Sequence, residues 1–476
     1  MATSERESSP LEVDDAPPAP SEQAPDDRTR GGEEAQDTES AEAPRKRHPV
    51  TRIIGWFLGV VVLIMTLIGF LFITRGSAVR HVQSVGGDGA PVSPEERQFP
   101  LAVAVLTGTI LTGGNRVELA LNGDGTFARL WDDLRSARES ITIQMYYGMR
   151  GAVADSLMRI ITERASQGVR VYVLYDAFGT ERISDNDRAV LQQAGVLVVP
   201  FRPLSLGNLW VIQNRSHVRG IVVDGRVGWT GGFGIDDKWL GDGVTDLAWR
   251  ETNVRFEGPA VRQLQAAFAA AWTEATGVMI TGRAGTSSRY EDAVTMAGLL
   301  NASPTLGSTA AERFLALSIA GARKTLYVTN AYFAPDDNFV ALLVDAARRG
   351  VDVRLLLAGR RTDIRLTRTA GRSRYEALLN AGIRIFEWQP STMHAKTFVV
   401  DGVWSSIGTM NFDNRSLVLN DEVALLVLDQ AFGQRMDSLF LADLEHTVEI
   451  TKESFAGRSA LERIREWGAR FLTRLL

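Results

Sequence analysis

A histidine with a cation two residues on and an aspartate seven residues on occurs twice in this 476-residue chain: His217-Val218-Arg219 with Asp224, and His394-Ala395-Lys396 with Asp401. The surroundings of the two copies repeat as well. Gly168-Val169-Arg170-Val171 returns as Gly350-Val351-Asp352-Val353, and Ala194-Gly195-Val196 returns as Ala381-Gly382-Ile383, in the same order and at nearly the same offset as the histidines. The small drift in that offset is what unequal loops produce, so one supersecondary unit is used twice. Strand-like runs (Ile141 to Tyr147, Thr325 to Phe333) alternate with helix-like ones (from Thr126, up to Gln167, and Phe339 to Arg349). That order implies an α/β layered fold in each half.

The apolar runs Ile221-Val222-Val223 and Thr397-Phe398-Val399-Val400 read as buried strands. A period of two puts each histidine and its cation on one face. If the two faces meet, two imidazoles and two cations share one interface. That arrangement suits phosphoryl chemistry, in which one histidine attacks phosphorus, the other protonates the leaving alkoxide, and the cations hold the nonbridging oxygens. Each imidazole needs a group to fix its tautomer, and Glu251 and Glu422 are the candidates. Asp224 and Asp401 fall at the far ends of their strands, where structural ion pairing is expected.

The spacing H-x-K-x4-D, used twice, resembles the phospholipase D superfamily. The run Met393 to Gly402, continuing through Ile407-Gly408-Thr409-Met410-Asn411-Phe412-Asp413-Asn414-Arg415-Ser416 to Glu422, is most similar to its bacterial cardiolipin synthase branch. Tyr332-Phe333-Ala334-Pro335-Asp336, Asn214-Arg215-Ser216-His217 and Phe256-Glu257-Gly258-Pro259 add to a likeness that covers about residues 115–450. The resemblance implies a pseudo-dimer of two α/β halves with one active site at their interface. It also implies a double displacement: His217 takes the phosphatidyl group, His394 serves as general acid and then base, and a phosphatidylglycerol-like lipid resolves the intermediate. No cofactor or metal is implied.

The first copy departs from the family pattern twice. Arg219 stands where the family has lysine, and Gly234 holds the place after His217 that Asn411 holds after His394. Arginine keeps the charge but has a larger, planar head. An altered but active enzyme and a scaffold without turnover both follow from this, and the survival of both histidines, both glutamates and the second motif favours activity. The superfamily also contains lipid hydrolases and nucleases. A membrane anchor and the lack of a basic, aromatic tract argue against nucleic acid.

Residues 1–44 hold thirteen acids against three arginines, a net −10, so the remainder carries +5 of the total −5. With six prolines in residues 1–44 and few large apolar side chains there, residues 1–52 are expected to be a disordered acidic tail and a basic juxtamembrane run. Ile53 to Thr74 is free of charge and long enough to cross a bilayer; a cleaved signal peptide is the alternative. Arg45, Lys46, Arg47 and Arg52 before it, against Arg75 and Arg80 after it, place the amino terminus in the cytoplasm and the catalytic part outside the bacterial inner membrane.

The expected order is then a linker (75–114), a first half (115–280), a second linker (281–310), a second half (311–450) and an amphipathic helix (451–476). In that last segment Leu461, Ile464, Trp467, Phe471, Leu472 and Leu475 share a face flanked by Arg463, Arg470 and Arg474, which suits either core packing or a bilayer surface. Asn122-Gly123-Asp124-Gly125 is expected to be a turn. There is no cysteine, and His48, His81 and His446 are expected at the solvated surface. The acceptor alcohol and the oligomeric state are not legible.

Overall fold

The computed structural model describes residues 49–84, 90–146, 148, 151–179, 183–205, 213–245, 248–281 and 293–475. The acidic tail, His48 and the basic residues 45–47 lie outside them. Residues 1–61 and 62–476 are separate units. The helix Pro49–Ile73 contains a stretch, Ile53–Ile73, of 21 residues with mean hydropathy 2.7, long and apolar enough to cross a membrane; none of these residues is fully buried, and Phe72 and Ile73 at its end are half-buried against the core.

The second unit is built on one 15-stranded sheet. Its first seven strands in sequence are β1 (Thr112–Leu121), β2 (Ser140–Met145), β3 (Arg170–Asp176), β4 (Leu197–Phe201), β5 (Gly220–Val223), β6 (Val227–Gly231) and β7 (Thr252–Glu257). The second series is β8 (Thr295–Ala302), β9 (Thr325–Asn330), β10 (Phe333–Ala334), β11 (Asp352–Leu357), β12 (Arg384–Trp388), β13 (Lys396–Val400), β14 (Trp404–Gly408), β15 (Phe412–Asp413), β16 (Glu422–Leu428) and β17 (Thr447–Ile450). From the middle outwards the sheet runs β1-β7-β6-β5-β2-β3-β4 on one side and β8-β16-β14-β13-β9-β11-β12-β17 on the other. The duplication read from the sequence is thus a pseudo-two-fold, with β10 and β15 paired separately.

Local chemistry repeats with it. Gly168 and Gly350 (φ +91° and +92°) follow helices Ala152–Ser166 and Asp337–Arg348, where a left-handed residue ends the helix and only glycine adopts it without strain. Helices Asn122–Ser136, Ala152–Ser166 and Asp185–Gln193 cover one face of the first half, and Ala310–Gly321, Asp337–Arg348 and Tyr375–Asn380 cover one face of the second. A third apolar cluster is common to both halves. Val254, Phe256 and Leu264 of the first half pack there with Leu425, Phe432 and Met436 of the second. At about 25 cal/mol per Å² such shared burial favours a fixed seam over two loosely joined domains.

Three expectations change. The stretch taken as the first linker contains the helix Phe99–Thr107, whose Phe99 ring lies 5.0 Å from that of Trp404 in the core. The second linker contains β8, which pairs with β1 (Thr112 opposite Ala297) and so joins the halves. Both segments are short and isolated, so neither shows a period long enough to be read. Asn122-Gly123-Asp124-Gly125 is the first turn of Asn122–Ser136, and Gly123 allows the backbone at Trp239 and Leu240 to pass, since a Cβ there would lie 2.2 Å from the Trp239 carbonyl oxygen.

Candidate active site

Short backbone bridges at the seam position both histidines. The His217 amide donates to the Asp421 carbonyl (2.9 Å) and the Asp421 amide to the Arg215 carbonyl (2.9 Å). In the same way, the His394 amide donates to the Arg250 carbonyl (2.8 Å) and the Arg250 amide to the Thr392 carbonyl (2.9 Å). Each histidine segment therefore pairs with the segment leading into the other half's glutamate. The side chains cross over accordingly. His217 Nδ1 lies 2.9 and 3.0 Å from the Glu422 oxygens, and His394 Nδ1 lies 2.7 Å from Glu251 Oε2. Arg250, in a buried ion pair with Asp443 (2.7 Å), ties the same two halves across the seam.

All four groups are buried, and both imidazoles line one cavity of about 590 Å³ with Arg219, Asn411, Tyr332 and Arg415. Assigning the proton to Nδ1, which faces a carboxylate, leaves the lone pair on Nε2 of each ring. Arg219 Nη1 is 3.0 Å from His217 Nε2. Lys396 Nζ lies 2.9 Å from His394 Nδ1 and donates to the His394 carbonyl. Arg219 Nε and Asn411 Oδ1 are buried without a hydrogen-bond partner. Unpaired polar atoms of this kind cost about 1–3 kcal/mol each when nothing binds them, which marks the cavity wall as made for a polar ligand.

Burial dominates the titration of the cluster. It holds both imidazoles well below their ordinary range, aided by Arg219 at His217 and by Lys396 at His394. Both are neutral near pH 7, the state in which Nε2 is a nucleophile. Burial also pushes the Glu251 and Glu422 carboxyls up from their usual range, opposed by Lys396 at Glu251 and by the hydroxyls of Thr409 and Ser416 at Glu422. It lowers Lys396 to about 7, opposed by Glu251.

The two copies differ where the sequence did. In the second, the Thr409 hydroxyl donates to Glu422, and Asn411 lines the cavity. In the first, a Cβ at Gly232 would lie 2.3 Å from Glu251 Oε2, and one at Gly234 would lie 2.6 Å from the Trp239 ring. Gly232 makes room for the Glu251 carboxylate and Gly234 for Trp239, which stands edge-on to His394 with ring centroids 5.5 Å apart, beside Trp249 at 4.9 Å.

Asp224 and Asp401 belong to the hairpin turns rather than the cavity. Ion pairing was expected, but the Asp224 carboxylate accepts the backbone amides of Arg138, Glu139 and Ser140 (2.8–3.2 Å), and Asp401 accepts those of Arg323, Lys324 and Thr325 (2.7–3.3 Å). Three converging N–H groups from the start of the neighbouring strand satisfy a carboxylate without a cation. Both aspartates have positive φ, +51° and +54°, as the Asp-Gly turns require.

Sequence reasoning missed the aromatic wall. Tyr146 stands edge-on to His217 at 5.0 Å, and Tyr332, whose hydroxyl donates to Asp363 (2.5 Å), stands edge-on to His394 at 6.0 Å. Arg415 and Asp413 also line the cavity; they stood within the run that carried the resemblance but had been given no role. The glycine at 234 was the available signal for Trp239, because a missing side chain beside a site has to be filled from elsewhere.

A duplicated α/β fold whose repeated histidine motifs meet in one cavity defines the phospholipase D-like class. Comparison with known proteins makes the assignment narrower. The family described as "Cardiolipin synthase, PLD-like domain" matches residues 130–272 and 315–444, and the chain belongs to that family. It is 33% identical over 399 residues to a cardiolipin synthase of Geobacillus kaustophilus, covering 81% of this chain and 77% of the relative. Cardiolipin synthase A of Pseudomonas aeruginosa is 31% identical over 370 residues, covering 78% and 74%. Among solved structures, phosphatidylserine synthase from Haemophilus influenzae superposes with a TM-score of 0.60 at 12% identity, over 79% of this chain and 99% of that one, a likeness of fold.

Proposed function

We propose that this chain is a membrane-anchored phosphatidyltransferase of the cardiolipin synthase type. The observation that carries the reading is the pair of neutral imidazoles, each oriented by the other half's glutamate, in one cavity with Arg219 and with Lys396 beside His394. In the first step His217 Nε2 forms a bond to the phosphorus of phosphatidylglycerol and the bond from phosphorus to the glycerol oxygen breaks; the proton for that oxygen comes from His394 Nε2, which must first take up a second proton as an imidazolium paired with Glu251, and the ring is left neutral. In the second, His394 takes the proton from a hydroxyl of another phosphatidylglycerol, whose oxygen displaces His217. The products are cardiolipin and glycerol.

Arg219, Lys396 and the Asn411 amide hold the phosphoryl oxygens as charge builds on them. Because Arg219 also contacts His217 Nε2, a phosphate that draws the guanidinium to its own oxygens releases the lone pair for attack. Glu422 and Glu251 keep the tautomers, while Asp224 and Asp401 act at a distance, by fixing the turns beyond β5 and β13. The halves 115–280 and 311–450 act as one unit. We place the span in a bacterial cell membrane, with the amino terminus in the cytoplasm on the balance of flanking cations.

Full-length protein in detergent, given phosphatidylglycerol alone, should form cardiolipin and glycerol in equal amounts by mass spectrometry. His217→Ala should abolish both. Phosphatidic acid as the dominant product would replace transfer with hydrolysis, and no product from the wild type would end the enzymatic reading.

A further inference from the structure

The helix Ala460–Arg470 is built to stay on the body of the protein while showing its apolar side outwards. Ser459 caps it through a capping box with Glu462. Its inner face is Glu466, Ala469 and, one turn on, Thr473. Glu466 is ion-paired with Arg372 (3.0 Å) and Arg458 (2.8 Å), and Ala469 is buried with Ala370. Leu461, Ile464, Trp467 and Phe471 lie on the opposite side at helical spacing, each more than half exposed. Arg463, Arg470 and Arg474 flank that stripe on one edge and Arg465 on the other, all exposed.

Three observations name the occupant of this face. First, the end of the apolar span is tied to the same spot: the Asn414 amide donates both to the Ile73 carbonyl (3.2 Å) and to the Arg474 carbonyl (2.7 Å). Second, the neighbour of Asn414 is Arg415, which lines the cavity. Third, the helix packs on Arg365–Arg372, and the residues at the start of that segment, Ile364 and Leu366, are exposed, with Ile364 at the cavity wall. A stripe of large apolar side chains with an arginine rim suits the boundary between headgroups and acyl chains, where arginines meet lipid phosphates.

The geometry points to a second membrane contact: the carboxy-terminal helix lies in the bilayer surface and, together with Ile364 and Leu366, sets the mouth of the catalytic cavity against the headgroup layer. A lipid could then pass its phosphate into the cavity while its acyl chains stay in the bilayer. The inference rests on the lipid reading of the cavity, but its first test does not depend on turnover.

The chain has no cysteine, so Ile464→Cys provides a single thiol in the full-length protein. Labelled with an environment-sensitive dye and reconstituted into vesicles of phosphatidylglycerol and phosphatidylcholine, position 464 should be quenched by lipid carrying a nitroxide near the headgroup. Ser438→Cys, exposed on helix Gln430–Leu444, which packs on the seam-side face of the sheet, should not. Equal quenching at the two positions, or none at 464, overturns the proposal. So does excimer emission from pyrene at 464 in detergent, which would give the face to a second copy of the chain. The triple variant Ile464→Ser, Trp467→Ser, Phe471→Ser removes only exposed apolar groups. Its rate on vesicles should fall about fivefold or more while its rate on dispersed short-chain phosphatidylglycerol stays within about twofold. An unchanged rate on vesicles would remove the link to the cavity.

Discussion

In the second half, the residues that follow the histidine reach the site one after another: Lys396 beside the ring, Thr409 on Glu422, Asn411 in the cavity wall. In the first half the matching positions are Arg219, Gly232 and Gly234; the Glu251 carboxylate fills the space beside Gly232, and Trp239 fills the space beside Gly234. The result is two unlike ends of one cavity. His217 faces Arg219 and Arg415, which favours the phosphate, while His394 stands among Trp239, Trp249 and Tyr332. What looked in the sequence like decay of one motif is a rearrangement that leaves the paired histidines intact.

The strongest test of this division is the loss of either ring. His217→Asn and His394→Asn should each lower kcat by about 10⁴-fold or more, because neither end can do the other's work. They should fail differently. With a phosphatidyl donor whose leaving group needs no proton, His394→Asn should accumulate His217 carrying the phosphatidyl group, visible by mass spectrometry of acid-free digests. If the label appears on residue 394 instead, the roles are reversed.

Next come the glutamates, whose effects should cross the seam. Glu422→Gln and Glu251→Gln leave the geometry in place but spoil the tautomer, and a drop of about 10²–10⁴-fold in kcat is expected for each. The crossing itself can be read by NMR: Glu422→Gln should shift the imidazole resonances of His217, and Glu251→Gln those of His394. A shift confined to the same half would mean that the pairs do not cross.

The two cations should separate by pH. Lys396 faces Glu251, Arg219, Asp363 and Glu422, and burial brings it down to about 7. Its charged form is therefore lost as pH rises through about 7, and kcat/KM, which reports the free enzyme, should fall over the same range. Arg219 is lowered too, but from so high a starting point that it stays charged. Lys396→Arg should thus extend the alkaline plateau, and Arg219→Lys should not. Neutral replacement, Lys396→Met or Arg219→Met, should cost about 10²–10³-fold, or about 2.7–4 kcal/mol, as for other lost donors to a developing charge.

The sequence made the duplication, the paired motifs and both glutamates legible because all of these are carried by local pattern. It could not show which glutamate serves which histidine, since that depends on the sheet closing through β1 and β8, two strands inside stretches that read wholly or partly as linkers. Nor could it show that Asp224 and Asp401 cap backbone amides, because an aspartate's partners are set by where the preceding helix ends. The carboxy-terminal helix shows a further limit. Its amphipathic spacing is the same for a core helix and a surface one, and only the outward direction of Ile464 and Trp467 separates them.

The smallest effect, and the most direct probe of the difference between the halves, is an attempt to restore the missing asparagine. If the first motif had only decayed, Gly234→Asn should raise turnover. The space is not open, however: a Cβ at 234 would lie 2.6 Å from the six-membered ring of Trp239, a rigid group held between its neighbours. Overpacking of this kind costs about 1–3 kcal/mol, so Gly234→Asn should lower the unfolding midpoint and leave kcat unimproved. Adding Trp239→Ala clears the clash but empties a buried site, at about 3–5 kcal/mol, so it should lower the midpoint further and also lower kcat, because His394 then loses an aromatic wall and gains water. A gain in turnover from Gly234→Asn alone would mean that the first half lacks its asparagine by loss and that Trp239 is a bystander.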